Sequence, residues 1–166
     1  MIENGPKYSV VAKTFHWGFV SAFAYGIFKA VEDVDQLEDG SFLKFEVFFA
    51  SGFLLILGLR FWYMKKTQKS SLPDSTPKLQ KFLANLVHLA MYGTLGVIAL
   101  TGLIIGLIYW IGFEKGVLIE LGIVVHELGI TIMYWLIAIH ISAAIYHRLL
   151  RDGVWSSMVP FLKERN

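Results

Sequence analysis

The sequence predicts an all-α integral membrane protein, a four-helix bundle whose four helices all cross the membrane and whose two termini lie in the cytoplasm. Three observations predict it. The 166 residues are 55% hydrophobic with a mean hydropathy of +0.57, more apolar surface than the core of a soluble domain this short can hide. Four runs, at 15–31, 42–63, 82–111 and 117–146, are rich in Leu, Ile, Phe and Gly and nearly free of charge. Each approaches or exceeds the roughly 20 residues a helix needs to cross the hydrocarbon core. Charge sets the orientation: 12 of the 15 Lys and Arg, with only 4 of the 13 acids, belong to the N-terminus, the middle loop and the C-terminal tail. The positive-inside rule puts these three segments in the cytoplasm. No run of alternating ten-residue strands is present, so a barrel is not expected.

The elements follow in order, as one domain over residues 1–166. The opening MIENGPKYSVVAK has no early apolar core and no cleavage site, so it does not read as a signal peptide and the first span is expected to stay. After that span comes VEDVDQLEDG, an acidic and exposed connection. The second span runs into MKKTQKSSLPDSTPK, a basic Ser/Pro-rich loop whose Pro77 suits the first turn of the third helix. Only a short turn around Gly112–Gly116 separates spans three and four. The tail RDGVWSSMVPFLKERN is mixed, with Trp155 and Phe161 expected at the membrane interface. There is no cysteine, which removes disulfides, thiolate metal sites, iron–sulfur clusters and covalently attached haem. Any cofactor is held non-covalently.

The histidines carry the chemistry. All five (His16, His88, His126, His140, His147) fall in or at the ends of spans. A single intramembrane histidine is commonly a helix-to-helix hydrogen bond, but five placed this way point to function. His126 and His140 are fourteen residues apart, about 21 Å along a helix axis and on one face. Two such imidazoles could each serve one of two haems stacked across the membrane. With Met133 at the midplane, His140 lies on the cytoplasmic side, near the level of His16 and His88, with His147 just below. His126 stands alone near the outer level. Zinc is the weaker metal reading, since it wants a tight cluster with carboxylates. Glycines 93, 96, 102, 106 and 129 allow close approach of helices, which packing alone explains.

"KTFHW", "HLAMYGTLGVIALTG" (His88–Gly102) and "HELGITIMYWLIAIHISAAIYHRLLRDG" (His126–Gly153) resemble the bacterial cytochrome b561 family. The resemblance covers most of the chain. It is most specific in the fourth span, and the third departs at Ala99, where the family usually has proline. It implies a multi-pass protein of the bacterial inner membrane, a quinone-linked cytochrome with two haems b. The inner haem is expected between His16 and His140, and the outer haem between His126 and a histidine of span two. This chain has "FFASG" (Phe48–Gly52) at that second-span position, and span two has no histidine. The outer haem is then absent, five-coordinate, or completed by an unusual or partner-supplied ligand. Lys29, Glu46 and Met133 are poor substitutes. His88, His147, Arg148 and Arg151 are candidates for a quinone site or for binding haem propionates. The rival arrangement pairs His88 with His140 or His147 on the inner iron.

The expected function is electron transfer between the quinone pool and a redox partner on the outer face. The outer side has a net charge of about −6, with Glu32, Asp33, Asp35, Glu38 and Asp39 in one loop. That charge repels superoxide, the substrate of some relatives, and favours a basic periplasmic cytochrome. The alternatives are a haem-bearing anchor subunit of a dehydrogenase or hydrogenase, a superoxide:quinone oxidoreductase, and a haemless transporter or scaffold. Membrane lipid and quinone are expected partners, and nucleic acid is not.

Overall fold

The computed structural model describes residues 7–29, 40–113 and 115–164. Among these there are five helices and no strand: α1 (Val10–Phe28), α2 (Gly40–Thr67), α3 (Lys78–Trp110), α4 (Val117–Leu150) and a short α5 (Val154–Met158). Three of them, α2, α3 and α4, are long and apolar enough to cross a membrane. The fourth long helix, α1, has 19 residues, about 28 Å of length. The end of the first expected span, at 30–31, and the acidic loop with Glu32, Asp33, Asp35, Glu38 and Asp39 lie outside the described residues.

Each helix begins and ends for local reasons. Ser9 caps α1, its hydroxyl oxygen accepting from the Ala12 amide at 3.1 Å, which starts the helix before the first apolar run. The same residue ties α1 to the end of α2, with its hydroxyl 3.0 Å from the Tyr63 hydroxyl and its amide donating to Gln68 Oε1 at 3.1 Å. Pro77 stands at the N-cap of α3, one position before the helix. α4 runs to Leu150 and ends on Arg151, whose φ of 54° is left-handed, and Gly153 follows at φ 84°. This double reversal turns the chain back under the bundle into α5.

The core takes residues from all four long helices: Phe19, Phe53, Leu57, Leu95, Ala99 and Met133. Met133 is only 1% exposed, so the residue expected at the midplane is the best buried of these six. Around this core the surface is apolar. Trp62, Leu100, Val124, Leu128 and Trp135 are all more than half or nearly half exposed, an arrangement lipid satisfies and water does not. The tightest seam is α3 against α4. A Cβ on Gly129 would come within 2.9 Å of Ile98 Cγ1, so only glycine lets the two helices approach this closely. Gly106 plays the same part against Val47 of α2, at 3.1 Å.

Between α1 and α2, on the side away from the termini, aromatic rings follow one another. Tyr25 meets Phe45 and Phe49, Phe45 stacks on Phe49 at 5.9 Å, Phe49 on Phe53 at 6.1 Å, and Phe53 on Phe19 at 4.5 Å.

Candidate functional site

Three histidines meet in the half of the bundle nearer the chain termini, each from a different helix. His16 of α1 and His140 of α4 have ring centres 6.3 Å apart, and His88 of α3 lies edge-on to His140 at 5.1 Å. Two imidazoles bound on opposite sides of one metal, each by a bond of about 2 Å, have ring centres about 6 Å apart. The His16–His140 pair has that spacing, and the His88–His140 pair is tighter than it allows.

Hydrogen bonding separates the three further. His88 Nδ1 is 2.6 Å from the Ala84 carbonyl, so Nδ1–H donates to its own helix and Nε2 carries the lone pair. His140 makes no hydrogen bond to any described residue, and its ring contacts are the two other imidazoles. A polar ring inside an apolar bundle without a hydrogen bond is costly unless something else engages it. Among the described residues no three His, Cys, Asp or Glu side chains form a metal cluster, so a metal here needs most of its ligands from elsewhere. A porphyrin supplies four in one plane and asks the protein for two. The residues fit that group.

α2 adds a residue that sequence reasoning overlooked. Arg60 reaches the same point, with Nη2 3.2 Å from His16 Nδ1 and the guanidinium between the rings of Phe19 (5.7 Å) and Tyr92 (5.2 Å). Its Nε is buried without a hydrogen-bond partner. The signal was present in "LGLRFW", a single charge within an apolar run.

His147 stands apart from this group and is buried. Its Nδ1–H donates to Asp152 Oδ2 at 2.6 Å, and its Nε2 accepts from Gln80 at 3.2 Å. Asp152 is held in turn by the Val154 amide, through its second oxygen. Arg148 lies over the ring of Trp155 at 4.8 Å, and Arg151 is the left-handed cap of α4. The tail closes this end: the Trp17 indole donates to the Met158 carbonyl, and Phe161 packs on Trp17, the neighbour of His16. Gln80 and Asp152 were not singled out from the sequence. Asp152 reads there as part of a basic helix end, and Gln80 is 67 residues from its partner.

His126 is far from the group, on the α3–α4 seam. Its Nδ1 is 3.0 Å from Thr101 Oγ1, and a Cβ on Gly102 would touch its ring at 3.4 Å. The Thr101 hydroxyl donates back to the Val97 carbonyl at 2.7 Å, so it accepts from His126 Nδ1–H and leaves Nε2 with the free lone pair. That is how a metal-ligating histidine is ordinarily oriented. Phe48, at the position where the sequence lacks a histidine, is 81% exposed and lines an apolar groove of about 690 Å³ between α1 and α2.

A family model described as prokaryotic cytochrome b561 matches residues 7–161, nearly the whole chain. No curated protein and no solved structure matches.

Proposed function

From the premise that this chain belongs to the prokaryotic cytochrome b561 family, we propose that it carries electrons between the quinone pool and a redox partner on the outer face of the bacterial inner membrane. Membership brings membrane haem b electron transfer with it. Haem b, when bound, supplies reversible one-electron exchange at its iron. The chain's own residues hold and orient it. His16 of α1 and His140 of α4 would hold its iron, and their 6.3 Å ring spacing is the observation that carries the assignment. His88, its Nδ1–H bonded to the Ala84 carbonyl, keeps its Nε2 lone pair beside them.

Quinone binds nearby, on the termini side. A quinone carbonyl needs a donor and, once reduced, a route for its proton. The Gln80–His147–Asp152 chain supports both: the Gln80 amide has a second N–H for the carbonyl, and the imidazole and carboxylate behind it can pass a proton on. The test is direct. The purified full chain should show a low-spin b-type spectrum, and His16→Ala or His140→Ala should abolish it. Wild-type spectra from both variants would sink the assignment.

A second reading follows from Phe48. With no histidine on α2, His126 has no partner of its own kind, and electrons arriving from outside need another protein's cofactor. A haem-bearing anchor subunit meets that need, and co-purification of a large redox subunit in mild detergent tests it. The acidic outer loop, which disfavours superoxide, suits a basic periplasmic cytochrome in the first reading.

A further inference from the structure

Arg60 is a half-buried cation beside His16, its Nε buried without a hydrogen-bond partner, and among the described residues no carboxylate pairs with it; the ion pair these residues show is His147–Asp152, apart from this group. An unmatched charge inside a bundle is strongly unfavourable, so one that persists implies an anion to come. Its present partner cannot be that anion. Guanidinium only donates, so His16 Nδ1 accepts and the ring proton sits on Nε2, the atom a metal takes. A metal-bound neutral imidazole carries its proton on the other nitrogen. His16 Nδ1–H would then face Arg60 donor to donor, and their hydrogen bond is lost. Arg60 already has an unpartnered Nε, and the rings of Phe19 and Tyr92 keep the freed guanidinium in place.

We propose that Arg60 is an anion-binding residue of this site, taking a carboxylate borne by the porphyrin when His16 is engaged by the iron. This rests on the reading of His16 and His140 as iron ligands. Arg60 then selects a carboxylate-bearing porphyrin over an uncharged one.

The test loads the full-length chain, made without haem and held in detergent, with either haem or haem dimethyl ester, whose carboxylates are masked. Release to excess apomyoglobin is timed. Wild type should lose the ester roughly tenfold faster than haem, the worth of one charge-assisted hydrogen bond. Arg60→Gln should release both at about the same rate, and Arg60→Lys should keep part of the preference. Equal release by wild type, or an undiminished preference in Arg60→Gln, overturns the proposal. So does failure of both variants to hold either porphyrin, since Arg60 is then a structural residue. A wild-type chain that takes up no porphyrin, or a His16→Ala variant that binds haem unchanged, overturns the ligand reading and this proposal with it.

Discussion

His147 and His140 sit seven residues apart on one helix and live differently. Both nitrogens of His147 are occupied, by Asp152 and Gln80, while His140 has no hydrogen bond among the described residues. Replacing His147 with Leu should slow electron exchange with a quinone analogue while haem content stays normal; loss of haem would mark His147 as a ligand instead. Asp152→Ala should cost about 1–3 kcal/mol, because it leaves the buried His147 Nδ1–H without an acceptor. Chemical denaturation in detergent measures that. At this scale the sequence was legible where helical arithmetic sufficed. Depth along an axis follows from residue number, so His16, His88 and His140 could be expected near one level. Arg60, Gln80 and Thr101 could not be found that way, because their roles depend on which faces of different helices meet.

Helix ends were harder to read than helices. The first span was expected at 15–31, but α1 runs Val10–Phe28, because a serine cap and not the onset of apolarity decides where it starts. The second was expected to end at 63 and the fourth at 146. Both α2 and α4 continue one turn further, carrying basic residues past the apolar stretch. In the tail the sequence places Trp155 and Phe161 at the interface, and the structure adds a helix, α5, which a left-handed reversal at Arg151 and Gly153 makes possible. The glycines, which composition could not rank, separate once the helices are packed. Gly129→Ala sets a methyl 2.9 Å from Ile98 and should lower stability by about 1–3 kcal/mol. Gly96→Ala meets nothing within 4 Å and should be neutral or slightly stabilising, as alanine suits a helix better. Thermal unfolding of the two variants in one detergent compares them.

For the molecule as a whole, the charge distribution predicts orientation. A C-terminal alkaline phosphatase fusion should be inactive and a C-terminal fluorescent fusion bright, since the basic segments belong on the cytoplasmic side. The opposite pair of results would invert every inner and outer label. Cofactor content is the other global property. His126 has a suitable hydrogen bond but no partner histidine on α2, so the isolated chain should carry about one haem with a single low-spin signal. Two bis-histidine signals of equal intensity would defeat that expectation. The family was legible from its histidine motifs, whereas the unfilled position at Phe48 shows where this chain departs from it.

The aromatic file from Tyr25 through Phe45, Phe49 and Phe53 to Phe19 bears on insulation. Protons cross membranes along chains of hydroxyls, carboxylates and water, and the four phenylalanine rings of this file offer none of these. Electrons tunnel through packed hydrocarbon, if slowly over about 20 Å, but ions do not follow. Along this seam, then, the packed rings give a proton no path across an energised membrane. An electron that crossed along these rings would do so with no proton beside it.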